Sequence, residues 1–189
     1  ATHGHERRAS GPAAPHPEEF LDWERSQDVR HEWDGVQPLA MVGGRFAHTD
    51  LATRLSDILR PALRGRGTVV RSDLKVMTGR GSRVRYPDLV VTCSPIRPQD
   101  QTVPDPVLIA EVLSETTSAV DRGIKRAEYA ALPSLRGYLM LAQDRAAALV
   151  CDRADSFGER LVTAEAADDF ALPGLDIRIS LHAIYHGLA

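Results

Sequence analysis

Hydrophobic residues recur along the chain at two spacings, and these divide it into helices and strands. From about His48 to Leu63, Leu51, Leu55, Ile58, Leu59, Ala62 and Leu63 fall three and four apart, which predicts an amphipathic helix on a sheet, its last turn bent at Pro61. An earlier helix is predicted to open at Pro17 and run to about Arg30. Glu18 and Glu19 complement its N-terminus, and Phe20, Leu21 and Trp23 give it an apolar side. His31-Glu32-Trp33 and the run from Val36 to Val42 flank Asp34-Gly35, a dipeptide of tight hairpin turns, so two antiparallel strands are expected. Alternation of apolar and charged residues predicts a strand from Thr68 to Thr78, then a turn, then a strand from Val84 to Thr92. After the Pro-rich loop from Pro95 to Pro106 come a strand from Val107 to Leu113, a helix from about Ser118 to Leu132 and a strand from Gly137 to Leu141, the order of a parallel crossover. A hairpin across Asp144-Arg145, short strands near Leu161 and Ile177 and a helical turn from Leu181 complete the chain. Residues 1–16 carry no periodicity and are expected to form a flexible tail before a single domain over residues 17–189.

Two of these runs carry a carboxylate where burial disfavours one. Tyr86-Pro87-Asp88-Leu89-Val90-Val91 and Val107-Leu108-Ile109-Ala110-Glu111-Val112-Leu113 both read as buried strands. A buried carboxylate neutralises, pairs with a cation or coordinates a metal, because left unpaired it is costly. If the two strands are neighbours, Asp88 and Glu111 converge and offer oxygen ligands to a hard divalent cation, as Mg²⁺ prefers, with Mn²⁺ as a substitute. An ion pair of Glu111 with Lys125 or with an arginine is the purely structural alternative.

Composition narrows the class. The 189 residues, 43% of them apolar, suffice for one core. No apolar run approaches the roughly 18 residues of a membrane helix, and the N-terminus lacks the plan of a signal peptide, so no membrane association is expected. Cys93 and Cys151 both sit among apolar residues, which suggests two buried thiols and a reducing cytoplasm. The net charge of −3 hides a segregation: from Arg60 to Arg85 there are eight basic residues against Asp73 alone, while Leu141 to Asp176 is acidic. The basic stretch leads directly into Asp88, so Arg83 and Arg85 are candidate contacts to a polyanion such as DNA.

The set His31-Glu32-Trp33-Asp34-Gly35, His48 at a helix start, Pro87-Asp88-Leu89, Glu111-Val112-Leu113-Ser114, and Asp121 followed by Lys125 and Tyr129 resembles the Uma2 family. That family, of the DUF820 type, is similar to the PD-(D/E)XK nucleases. The resemblance runs in consistent order from about Pro17 to Tyr185. It implies an α/β restriction-endonuclease-like core, a mixed central β-sheet flanked by helices with an N-terminal helix and β-hairpin. It also implies Mg²⁺-dependent hydrolysis of DNA phosphodiester bonds.

Carried over by residue, the resemblance makes Asp88, Glu111 and the backbone carbonyl of Val112 the metal ligands. The nuclease pattern places a lysine two residues after the glutamate, where this chain has Leu113. The resemblance moves that role to Lys125, which would orient the attacking water and stabilise transition-state charge. Lys125 also stands four residues from Asp121, the spacing of an ordinary helix-surface pair. Glu32 would be the acidic residue contributed from the N-terminal part, and His48 would face the same cleft and contact phosphate, or cap its helix. Ser114 and Thr116-Thr117 read as helix-capping groups in preference to nucleophiles, and Trp33 and Tyr129 as core. A homodimer would let so small a domain cut both strands. The second function class is a non-catalytic module that keeps the fold to bind nucleic acid or a protein partner.

Overall fold

The computed structural model describes residues 17–41, 43–71, 73–114, 117–165 and 169–188. The tail expected over residues 1–16 lies outside the described residues. In chain order the elements are α1 (Pro17–Glu24), β1 (His31–Trp33), β2 (Pro38–Ala40), α2 (Phe46–Leu63), β3 (Thr68–Arg71), β4 (Val76–Thr78), β5 (Arg83–Arg85), β6 (Leu89–Thr92) and β7 (Pro106–Leu113). A helical segment follows as α3 (Ser118–Val120), a π-helical turn (Asp121–Lys125) and α4 (Arg126–Ala130). Then come β8 (Gly137–Ala142), β9 (Ala147–Asp152), β10 (Glu159–Thr163), β11 (Asp169–Ala171), β12 (Arg178–Ser180) and α5 (Leu181–Tyr185).

The central sheet has six strands in the order β10-β9-β8-β7-β6-β3. It is mixed: β7 and β8 are parallel across the helical crossover, and the other neighbours are antiparallel. Because strand side chains alternate, β7 feeds two cores. Leu108, Ala110 and Val112 face Leu51, Leu55, Leu59 and Leu63 of α2, while Ile109 faces Tyr129 and Leu135 on the other side. The sheet is thus sandwiched between helical layers, the expected α/β organisation. Glu111 lies on the Ile109 face, toward the π-helical turn.

A second sheet, β2-β1-β5-β4, contains the expected hairpin, with Glu32 paired to Leu39. Asp34 Oδ1 accepts from the backbone N–H groups of Val36 and Gln37, each at 2.8 Å, and closes its turn.

Several predicted boundaries move. The strand expected over Thr68 to Thr78 is two strands in different sheets, β3 on β6 and β4 on β5. The strand expected over Val84 to Thr92 likewise divides into β5 and β6, and the chain passes between sheets at Tyr86-Pro87-Asp88, where Pro87 has no N–H for a ladder. Helix α1 stops six residues before the expected Arg30, since Ser26 Oγ and Gln27 Nε2 both bond to the Trp23 carbonyl, at 2.7 and 3.2 Å. Cys151 is buried as expected, but Cys93 lies beyond the end of β6 and is exposed.

Leu139, fully buried on β8 beside Ala110, tests this core. Leu139→Ala should lower unfolding stability by about 2–5 kcal/mol in urea titrations, and a loss under about 1 kcal/mol would contradict the packing described.

Candidate active site

The pairing of β6 with β7 matches Leu89 to Ala110, so the next step along each strand brings Asp88 to Glu111. The Asp88 N–H donates to Glu111 Oε2 at 3.2 Å, and the Val112 N–H donates to Asp88 Oδ2 at 2.7 Å. The two organising runs are therefore neighbours, and their carboxylates are tied through backbone. His48, in the first turn of α2, places Nε2 2.9 Å from Asp88 Oδ1. It pairs with a site carboxylate rather than capping its helix.

The opposite wall comes from the crossover helix. Asp121, Lys125 and Tyr129 are spaced by four and present one face to Glu111. The first two bound the π-helical turn, a distortion often found at functional sites. Lys125 Nζ is 3.2 Å from Glu111 Oε1, 3.3 Å from Glu32 Oε1 and 3.3 Å from Asp121 Oδ1. The Tyr129 hydroxyl donates to Glu111 Oε1 at 3.0 Å. One ammonium thus gathers three carboxylates from β1, β7 and the helix.

Negative charge is in excess here. Glu111, 4% exposed, has its carboxyl pushed well above the usual range by burial, with Lys125 opposing and Asp88, Asp121 and Glu32 reinforcing. Burial also raises Asp121, whose Oδ1 accepts no hydrogen bond although Lys125 stands within ion-pair reach. Burial works to lower Lys125, but Glu111, Glu32 and Asp121 outweigh it and hold the ammonium above its ordinary value. Its amine is therefore a fixed cation.

Glu32, His48, Asp88, Glu111, Asp121 and Lys125 all line one cleft of about 750 Å³. Among the described residues no three His, Cys, Asp or Glu side chains form a ready metal cage. The donor set nevertheless suits a hard cation: each carboxylate oxygen has two lone-pair positions, and Asp88 Oδ1, Asp88 Oδ2 and Glu111 Oε2 each have one partner in the contacts above. Glu111 Oε1, holding Lys125 and Tyr129, has both positions filled.

Arg83 and Arg85, expected at a polyanion, are not brought to the cleft. Arg85 is 2% exposed, and its guanidinium grips Glu128 through Nε and Nη2, at 2.8 and 2.7 Å, and Glu32 through Nη1 at 3.1 Å. Arg83 also pairs with Glu128, at 2.8 Å. Other members of the basic stretch are tied down similarly: Arg60 to the Val69 carbonyl, Arg66 to the Leu63 carbonyl, Lys75 to Glu24. Arg45, Arg122 and Arg145 line the cleft instead. Trp33 and Tyr129 are buried as expected, the Thr117 N–H donates to Ser114 Oγ at 3.2 Å, and Thr116 lies outside the described residues. Sequence reasoning assigned no site role to Asp121 or Glu128; the spacing Asp121, Lys125, Tyr129 was the available signal for the first, and no local signal marks the second.

The His48–Asp88 contact gives a pH prediction. The hydrogen bond to Asp88 raises His48 above its ordinary 6.5, against the effect of burial. A group raised on folding adds stability that is full below its unfolded value and is lost as pH rises through its folded one. In chelator-treated protein, stability should therefore fall as pH climbs above about 6.5, and His48→Gln should flatten that part of the urea-derived profile. An unaltered slope in the variant would contradict the pairing.

The comparisons agree with this architecture. A crystal structure from Anabaena variabilis, described as "a putative nuclease belonging to DUF820", superposes with a TM-score of 0.69 over 93% of this chain and 99% of that one, at 12% identity. Two Synechocystis sp. proteins, both named as uncharacterized, are similar in sequence. One, slr1290, is 34% identical over 96% of this chain and 98% of its own length; the other, sll1609, is 27% identical over 66% and 73%. The family model Uma2, described as "Putative restriction endonuclease", matches residues 17–182, and the chain belongs to that family.

Proposed function

We propose that this protein is a Mg²⁺-dependent endonuclease that hydrolyses DNA phosphodiester bonds, with Asp88, Glu111 and the Val112 carbonyl as ligands of the ion. The observation that carries this reading is the buried adjacency of Asp88 and Glu111 in a cleft with uncompensated negative charge. The chemistry a bound divalent cation supplies is acidification of water and neutralisation of charge on a phosphoryl oxygen. In the reaction, a water oxygen would bond to phosphorus as the bond from phosphorus to the leaving sugar oxygen breaks, the water giving up a proton to solvent and the sugar oxygen taking one up from it.

Glu111, Glu32 and Asp121 hold the Lys125 ammonium above its ordinary value against the effect of burial, which suits it to serve as a hydrogen-bond donor and positive charge in place of a proton acceptor. Glu32 and Asp121 hold that ammonium beside Glu111. His48 keeps Asp88 oriented and lines the cleft where a phosphate would lie. Arg45, Arg122 and Arg145 replace Arg83 and Arg85 as the candidate contacts to the DNA backbone. Two copies acting on one duplex would cut both strands, and two free thiols suit a reducing cytoplasm.

A second reading, a catalytically silent module that binds nucleic acid or a partner protein, is favoured by one feature: Glu111 Oε1 is already saturated by Lys125 and Tyr129. Metal binding and cleavage separate the two. Mn²⁺ titration calorimetry should give a site that Asp88→Ala weakens at least tenfold, about 1.4 kcal/mol. Equal binding by both proteins, or by neither, would remove the ion site. Supercoiled plasmid should be nicked in Mg²⁺ or Mn²⁺, with Glu111→Ala at least about a hundredfold slower, corresponding to a loss of about 2.7 kcal/mol of transition-state stabilisation. Nicking that survives in Glu111→Ala would place the activity elsewhere, and Mn²⁺ binding without nicking would support the silent module.

A further inference from the structure

A continuous line of alternating buried charge leads from the smaller sheet to the cleft. Glu128 on α4 is 6% exposed and receives four hydrogen bonds: from Thr78 Oγ1 on β4 at 3.0 Å, from Arg83 at 2.8 Å and from two nitrogens of Arg85, with Arg85 Nε on Oε2 and Arg85 Nη2 on Oε1. The third nitrogen of that fork, Nη1, reaches Glu32 Oε2 at 3.1 Å. The other Glu32 oxygen accepts from the Tyr86 N–H at 3.0 Å and stands 3.3 Å from Lys125 Nζ.

We infer that Glu128 and Arg85 are positioning residues, which fix Glu32 and through it set where the Lys125 ammonium stands against Glu111. The role rests on the nuclease reading for its catalytic meaning and on the hydrogen-bond geometry for its existence. The guanidinium is planar, so binding its Nε–Nη2 edge to the Glu128 carboxylate dictates the direction of the remaining nitrogen, Nη1. That direction fixes one Glu32 oxygen and leaves the other aimed at Lys125. A plain adhesive pair between sheet and helix would need only the contact of Arg85 with Glu128. The bond from the same fork to Glu32, a residue lining the cleft, is what makes the pair a device for placement. Arg83 also pairs with Glu128 but is partly exposed, and among the described residues its ion pair goes to Glu128, so it steadies that carboxylate.

The test uses the full chain labelled with ¹⁵N and the ¹H–¹⁵N signal of lysine ammonium groups, with Lys125→Met identifying the Lys125 peak. That peak should be visible in the wild type, because three carboxylates hold the group out of rapid exchange. It should shift or vanish in Glu128→Gln and in Arg85→Lys, although the ion pairs of Lys125 among the described residues go to Glu32, Glu111 and Asp121. Thr78→Ala, which loosens only one bond to Glu128, should cause a smaller shift and covers the case in which the first two variants do not fold. Glu24→Gln disrupts the equally buried pair with Lys75 and should leave the peak in place.

A wild type without a Lys125-dependent peak, a peak unmoved in the Glu128 and Arg85 variants, or one moved as far by Glu24→Gln would overturn the inference. In nicking assays the same variants should lose kcat while KM for plasmid and Mn²⁺ affinity hold. A wild type that neither binds Mn²⁺ nor nicks plasmid would defeat the nuclease reading and leave the ammonium spectrum to decide the positioning role.

Discussion

The Lys125 ammonium and the three carboxylates around it hold the cleft together. Glu111 comes from the central sheet, Glu32 from the small sheet and Asp121 from the crossover helix, and each lies within 3.3 Å of the same nitrogen. All four residues are 9% exposed or less, so none of these charges can turn to water without moving its element. The ammonium thereby fixes the relation of two sheets and a helix, and Asp88 joins the cluster through its backbone bond to Glu111.

Such a cluster is an odd choice for stability alone. Buried ion pairs seldom outperform apolar residues of the same size, because desolvating the charges offsets much of their attraction. Here the disparity is larger, since the carboxylates of Glu32, Asp88, Glu111 and Asp121 outnumber the cations that reach them, and burial leaves Glu111 and Asp121 protonating more readily than usual. A fold that departs from local optimality at one place generally does so at its functional site. The excess is what a divalent cation would neutralise, and this joins the electrostatics of the cleft to the family assignment.

Much of this was legible in the chain because it depends on period. Alternation in Val107 to Leu113 places Glu111 opposite Leu108, Ala110 and Val112, and the structure keeps that division between two cores. Pro87 and the run after it marked where Asp88 would enter a strand. What the pattern could not carry was partnership. Thr68 to Thr78 alternates continuously, yet its ends pair in different sheets, and that choice depends on residues far away in sequence. The basic stretch from Arg60 to Arg85 misled in the same way: charge density along the chain says nothing about acceptors across it, and Arg60, Arg66, Lys75 and Arg85 all find internal ones. Asp121 and Lys125 at a spacing of four fit a solvated helix pair equally well until the π-helical turn is seen to face Glu111.

The central claim is that Asp88 and Glu111 share one divalent cation. Anomalous diffraction from a crystal grown with Mn²⁺ tests it most directly. The account predicts a peak within bonding distance of both carboxylates. Full Mn²⁺ density elsewhere with none between Asp88 and Glu111, or a cleft in which Lys125 alone occupies the carboxylates at saturating Mn²⁺, would contradict it.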